Sequence, residues 1–208
     1  MAHTQYVDKA DLKTYLGLSG AGQDTNIDNA INGASRLIDK ICGRHFWQDE
    51  TATIKYYTPI NEFYLEVDDI STTTGLIVQL DTTDDGTYDT TLTIDTDFVL
   101  KPFNPQTHKI SNTTYYYPQT ELHILTTRSS ERFDNLIIKN VKITAKFGWS
   151  AIPEAISQAT LLQASRLFKR KDAPFSVFGN EQTGQVELFS KIDQDALMLI
   201  KGYIKHKL

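Results

Sequence analysis

The stretch VKITAKFGWSAIPEAISQATLLQASRLFKRK, residues 141–171, contains the change of pattern that decides the fold. Its first five residues alternate apolar and polar side chains, which predicts a β-strand. After Gly148 the apolar residues recur at spacings of three and four, which predicts a helix that continues to the end of the stretch. Ser150 is the expected N-cap, Pro153 fits the first turn, and Pro174 prevents continuation. The stripe of this helix that faces the core consists of Ile156, Ala159, Leu162 (or, alternatively, Thr160), Leu167 and Phe168.

Three further helical patterns lie towards the ends of the chain. The first follows an N-cap at Asp8 and runs to Leu16, and the second covers about residues 26–42. The last covers about residues 194–207, with Ser190 or Asp193 as its cap. We expect the second helix to pack on the long helix through a shared apolar core formed by Leu37, Ile38 and Ile41 with Ile156, Leu162 and Leu167.

The middle of the chain has a different pattern. Residues 51–147 are rich in Thr, Tyr, Ile and Val in alternating runs, and Asp84-Asp85-Gly86 is a hairpin signal between two of them. The sequence therefore predicts an α+β fold. Residues 1–50 and 148–208 form a helical unit, and residues 51–147 form an inserted, mostly antiparallel β-domain.

The composition excludes several classes of protein. The chain has 208 residues, 40% of them hydrophobic, and a formal net charge of -5. A single cysteine cannot form an internal disulfide, and we expect neither a signal peptide nor a membrane span. The net negative charge argues against binding of DNA through its phosphates, although such a chain can line a channel through which DNA passes.

No residue set in the sequence predicts catalysis or a cofactor. The five histidines are scattered, with no pair at the spacing of a helical metal site. Cys42 is expected at the C-terminal end of a helix, where the dipole raises the pKa of a thiol. Lys169-Arg170-Lys171 complements the dipole of the long helix, and Tyr115-Tyr116-Tyr117 is explained by strand packing as well as by base stacking. We therefore predict no enzyme activity, no cofactor and no metal site.

The segment Asp81–Leu92 admits two interpretations. Asp81, Thr83, Asp85 and Gly86 resemble the start of a calcium loop, but its twelfth position is Leu92 where a bidentate glutamate is required. A plain hairpin turn is the better interpretation.

Four stretches occur in a specific order and spacing: residues 6–18 (YVDKADLKTYLGL), the pattern from Ile31 to Phe46, the hairpin at 80–88, and residues 144–175. The last combines TAKFGW with IPEAI and RLFKRKDAPF. Together they resemble the head–tail connector, or adaptor, family of long-tailed phages. The resemblance covers nearly the whole chain and is weakest over about residues 100–135. Cys42 stands where that family often has an apolar or aromatic residue.

The resemblance implies a structural virion protein of the neck. In that family twelve copies form a ring below the portal protein, which extends the DNA channel and offers a docking surface to the next neck or tail protein. DNA then only passes through the lumen, without sequence-specific contacts. Two other interpretations stay open: a tail-side completion or tail terminator protein, and a carbohydrate-binding or hydrolytic virion protein. The last would need paired carboxylates in a cleft, whereas adjacent Asp68 and Asp69 point to opposite faces of a strand.

Two sets of apolar residues are candidate interfaces. Phe175, Val177 and Phe178 follow Pro174 in an expected loop, where they contact either a neighbouring subunit or the portal, or else pack on their own helices. The last helix carries an apolar stripe that either packs on its own subunit or docks on the portal. The candidate portal-binding residues on it are Leu197, Ile200, Tyr203, Ile204 and Leu208.

Overall fold

A computed structural model describes residues 4–172 and 192–205 of the chain. These residues form two compact units, Met1–Phe46 with Ile152–Leu208, and Trp47–Ala151. Helices make up the first unit and antiparallel sheets the second, which confirms the predicted α+β class. Within the described residues no helix has both the length and the apolar character needed to cross a membrane.

The described residues of the first unit form four α-helices: α1 (Lys9–Leu16), α2 (Asp24–Cys42), α3 (Glu154–Lys169) and α4 (Gln194–Ile200). Short 3-10 turns, Arg170–Asp172 and Lys201–Tyr203, follow α3 and α4.

The ends of the first two helices agree with the sequence signals. Asp8 is the N-cap of α1, and Gly17 ends that helix with a φ of 67°. Gly43 ends α2 in the same left-handed conformation, with a φ of 66°. Glycine adopts this conformation without the steric cost of a Cβ atom, so both helices end where the sequence predicts.

The predicted N-cap of α3 and the predicted end of α4 are wrong, whereas the start of α4 at Gln194, capped by Asp193, is confirmed. Pro153, and not Ser150, is the N-cap of α3, with an extended ψ of 143°. A proline disfavours the helical conformation of the residue before it, so Ile152 cannot belong to the helix. The α-helical part of α4 ends at Ile200, and Ile204 is extended instead of helical. Gly202 lies in the turn between them, and glycine has a low helix propensity.

The helices α1, α2 and α3 enclose the core of the first unit. Ile38 and Ile156 are fully buried as expected, whereas Leu37, Ile41 and Leu162 are only half-buried. Small and polar side chains occupy most of the buried face of α3: Ala159, Thr160, Gln163, Ala164 and Ser165. These residues allow α2 and α3 to approach closely.

The second unit consists of nine strands: β1 (Thr53–Tyr57), β2 (Tyr64–Ile70), β3 (Ile77–Leu80), β4 (Thr90–Leu92), β5 (Phe98–Lys101), β6 (Thr107–Ile110), β7 (Thr113–Tyr116), β8 (Gln119–Ile124) and β9 (Val141–Ala145). They form a four-stranded sheet in the order β1-β9-β3-β4, a three-stranded sheet in the order β2-β8-β5, and the ribbon β6-β7. Each pair of neighbouring strands in the sheets is antiparallel.

The two larger sheets share one apolar core. It includes Leu65, Phe98 and Leu122 from the three-stranded sheet, and Val78 and Ile143 from the four-stranded sheet. Because successive side chains of a strand point to opposite faces, the two inner faces are apolar and the remaining side chains form two outer faces.

Candidate interaction surfaces

The single thiol lies in the interior of the first unit. Cys42 is completely buried, and burial raises its pKa to about 12. Its carbonyl oxygen accepts a hydrogen bond of 2.8 Å from the backbone N–H of Lys205. A thiol with so high a pKa is inert as a nucleophile, so the residue has a structural role.

The calcium-like segment is a hairpin turn closed by one carboxylate. The buried Asp81 side chain accepts hydrogen bonds from the backbone N–H groups of Thr83, Asp85 and Gly86, the last at 2.8 Å. Asp84 and Gly86 have φ values of 57° and 80°, as the reversal of the chain requires. No group of three or more metal-ligating side chains occurs among the described residues. The arrangement of aspartates is therefore explained by turn chemistry.

We expect Asp81→Ala to lower the free energy of unfolding by about 1–3 kcal/mol, because it removes the acceptor of three backbone donors. Thermal melts followed by circular dichroism would measure the loss. The exposed Asp89, in the same connection, provides the control Asp89→Ala. Equal stability of the two variants would contradict this role of Asp81.

An aromatic cluster joins the ribbon β6-β7 to the rest of the second unit. The His108 ring stacks on Tyr115 at a centroid distance of 5.6 Å and lies 5.9 Å from Tyr117, which in turn contacts Trp149 at 4.7 Å. Tyr116, between the two tyrosines, is exposed. Packing thus accounts for two residues of the tyrosine run. Both nitrogens of His108 are buried and have no hydrogen-bond partner among the described residues.

Lowering the pH from about 7.5 to about 5 is expected to reduce the stability of the wild-type chain by more than it reduces the stability of the His108→Phe variant. Burial lowers the pKa of His108 below its usual value of 6.5, so the unfolded chain binds this proton more readily than the folded chain. The stability contributed by the neutral ring is complete above pH 6.5 and is lost as the pH falls through the lower pKa of the folded state.

Melting temperatures across this pH range, with His123→Gln as a control for loss of an imidazole, would measure the effect. An identical pH dependence in wild type and His108→Phe would show that the cluster does not disfavour protonation.

The two carboxylates considered for glycoside hydrolysis do not form a pair. Asp69 is buried and its Oδ2 accepts a hydrogen bond of 3.0 Å from the Trp149 indole. Asp68 forms an ion pair of 2.8 Å with Lys55. The two side chains lie on opposite faces of β2, and each has a structural partner.

The candidate portal-binding residues of the C-terminal segment differ in accessibility. Ile200 is fully buried, while Leu197, Tyr203 and Ile204 are half-buried. Tyr203 packs edge-on against the buried Phe46 ring at 5.8 Å. Leu208 and the candidate subunit contacts Phe175, Val177 and Phe178 lie outside the described residues. The structure thus brings Ile200 and Tyr203 into the first unit.

A hydrogen bond to α3 and a side-chain cap fix the start of α4. The backbone N–H of Asp193 donates to Gln163 Oε1 at 3.0 Å, and the Asp193 carboxylate caps α4 by accepting from the N–H groups of Asp195 and Ala196. Gln163 is almost completely buried, so this anchor is shielded from water. The sequence did not predict this contact, because a glutamine within an apolar stripe does not by itself indicate a hydrogen bond to the start of another helix.

The exposed side of α4 carries two apolar residues beside Gln194 and Asp195. Met198 is 77% exposed and Leu199 is also solvent-accessible, although both adjoin the buried Ile200. The described segment thus has an inward face that holds it in place and an outward face available to a partner.

Comparisons with known proteins give a likeness of structure. No protein-family model matches the chain, and no curated protein sequence matches it. Chains of three solved structures of gene transfer agent (GTA) particles do match. One comes from the virion of a native GTA particle, with a TM-score of 0.52 and 14% sequence identity over 100% of this chain and 97% of that chain.

The other two come from necks. A chain from the neck of a native GTA particle, computed with C12 symmetry, has a TM-score of 0.51 and 13% identity over 100% of this chain and 97% of its own. A chain from the neck of an empty GTA particle, computed with C6 symmetry, has a TM-score of 0.51 and 11% identity over 98% of this chain and 91% of its own. At these identities the comparison establishes a shared fold.

Proposed function

We propose that this chain is a structural subunit of a phage-like neck, an adaptor that forms a ring below the portal. The observation that carries the proposal is the shared fold with chains from necks, since the likeness extends over nearly the full length of both proteins. The resemblance of residues 6–18 and 144–175 to the adaptor family supports the same role independently of the structure.

The symmetry of those necks supports a ring of twelve copies. One of them was computed with C12 and the other with C6 symmetry, which is compatible with repeated subunits around a central axis. A closed ring requires a heterologous interface, in which one surface of a subunit contacts a different surface of its neighbour. Phe175, Val177 and Phe178 remain candidates for that contact. DNA passes through the lumen without base-specific binding.

The C-terminal segment is the proposed attachment to the portal. Its inward residues, among them Ile200 and Tyr203, hold it on the first unit, and Leu197 and Ile204 border the surface that remains accessible. Met198 and Leu199 add exposed apolar area there. An apolar helix face held on a rigid support is suited to bind a groove of another protein.

A cryo-electron microscopy map of purified particles would test the proposal. We expect a ring of twelve copies in direct contact with the portal on one side and with a further neck or tail protein on the other. Copies found only at the tail side, without a portal contact, would overturn the adaptor role in favour of a tail completion or terminator protein.

A further inference from the structure

We infer that the β-sheets of the second unit contribute a head-to-tail contact between copies of this chain. The outer face of the sheet β1-β9-β3-β4 in one copy binds the outer face of the sheet β2-β8-β5 in the next. This inference rests on the proposed function for the ring and names the surfaces that build it.

The outer face of the four-stranded sheet is apolar and exposed. Ile54 and Ile77 are 55% and 45% exposed, and the strand register places both beside Thr144 in one row across β1, β9 and β3. Tyr56, 48% exposed, lies in the next row, where its ring contacts that of Tyr88 at 5.6 Å. Large apolar side chains grouped on one exposed sheet face are typical of a protein–protein contact.

Two lysines make this face cationic. Lys142 lies in the row of Tyr56, with its Nζ 4.8 Å from the centre of the Tyr88 ring. The Nζ of Lys139 is 5.7 Å from the centre of the Tyr56 ring. Neither lysine forms an ion pair with any described residue. On a chain of net charge -5, this surface is a local positive patch with aromatic side chains.

The outer face of the three-stranded sheet carries the opposite charge. Glu66 and Glu121 are directly opposite each other on β2 and β8, an arrangement of like charges that is unfavourable in isolation. Burial raises the pKa of the neighbouring Tyr64, and the charges of Glu121 and Glu66 raise it further. Both carboxylates therefore act on the same small area of this face.

The second unit supplies only partial compensation for these two carboxylates. His123 Nε2 lies 2.9 Å from Glu121 Oε2, but the ring carries a charge only when protonated. Lys101 is opposite Glu121 on β5, yet its Nζ is 5.4 Å from the centre of the Phe103 ring and forms no ion pair with a described residue. Glu66 also lacks an ion pair there. A cation from outside the subunit would relieve the repulsion.

The opposite charges of the two faces select a second copy of the chain as the partner. The sheets pack through their inner faces, so the outer faces lie on opposite sides of the same unit. Contact between two identical faces would bring like charges together, whereas contact between different faces brings Lys139 and Lys142 towards Glu66 and Glu121. Such a contact is heterologous and can repeat from copy to copy until the ring closes.

Zero-length carbodiimide cross-linking of the wild-type chain tests the contact directly. It would be applied to the free protein at high concentration and to purified particles. Since the two faces lie on opposite sides of one unit, a cross-link between Lys139 or Lys142 and Glu66 or Glu121 must join two copies. We expect these links and a ladder of oligomers beyond the dimer. Their absence from both samples would overturn the inference.

Charge reversal tests the head-to-tail direction. Lys139→Glu with Lys142→Glu, and separately Glu66→Lys with Glu121→Lys, should each weaken self-association by roughly a hundredfold. An equimolar mixture of the two double variants should restore assembly, and so should one chain with all four changes. Lys109→Glu, at an exposed position of the ribbon, is the control for a change of net charge. Melting curves identify any variant that does not fold, and failure of the folded mixture to assemble would refute the direction.

The outcomes separate this inference from the proposed function. Cross-links between the two faces in a protein that is absent from the neck would support the contact and refute the neck role. A ring in the particle that lacks these cross-links would support the neck role and refute the contact.

Discussion

Met198→Asp is expected to weaken attachment of the chain to portal-bearing heads by at least roughly thirtyfold, about 2 kcal/mol, while its melting temperature stays close to that of the wild type. The side chain is 77% exposed, so a carboxylate there remains hydrated in the free subunit. In the complex the same carboxylate would be buried against an apolar groove without a partner. Co-sedimentation of the purified variant with heads that lack the neck would measure the loss.

Asn32→Asp is the control, because it adds the same charge at an exposed position on α2, outside the face of α4 that is tested. It should bind like the wild type. Normal attachment of Met198→Asp would exclude the outward face of α4 from the portal contact.

Removal of the whole C-terminal segment would be a less specific test. Ala196 and Ile200 are fully buried, and the N–H of Asp193 donates to the buried Gln163. A deletion that begins at Asp193 therefore exposes apolar surface on α3 and leaves a buried acceptor without its donor. Loss of attachment could then follow from unfolding, which the point variant avoids.

Local signals in the sequence predicted the parts of the fold that depend on a few neighbouring residues. Gly17 and Gly43 end α1 and α2 because a left-handed residue is required at each position. Asp84 and Gly86 likewise indicate the turn between β3 and β4. Each of these helix ends and turns depends only on residues close to it in the sequence. It can therefore be predicted without knowledge of tertiary contacts.

The end of α4 and the composition of the helical core depended on tertiary contacts. Apolar periodicity correctly predicted Ala159 as a core residue and also favoured Leu162, which is only half-buried. The core uses Ala164 instead, because close helix packing requires small side chains. The stripe of the last helix was predicted to continue past Ile200. Instead Tyr203 reaches Phe46 from a 3-10 turn.

The candidate surfaces of the second unit could not be predicted from the sequence. Glu66 is opposite Glu121 only because β2 pairs with β8. Ile54 and Ile77 lie in one row only because β9 pairs with both β1 and β3. The alternation within each strand indicates which residues share a face of that strand. It does not give the strand order, which determines the charge and the apolar area of the complete face.

Ile38→Ala is expected to lower the free energy of unfolding by about 2–5 kcal/mol, with a clear fall in melting temperature. The side chain is fully buried on α2, the helix that packs against α3. Truncation removes apolar contacts and leaves a cavity that the backbone of two packed helices cannot readily fill. Leu162→Ala should lower the free energy of unfolding by less than Ile38→Ala does, because Leu162 is only half-buried.

Denaturant unfolding and thermal melts of both variants would establish this order, with Ile60→Ala as the control for the same truncation at an exposed position. The control should stay within about 0.5 kcal/mol of the wild type. An Ile38→Ala variant as stable as this control would contradict the packing of α2 on α3. Since α4 is anchored on α3 through Gln163, a loosened α2–α3 core should also reduce attachment to heads. Ile38→Ala would then weaken attachment together with stability, whereas Met198→Asp weakens attachment alone.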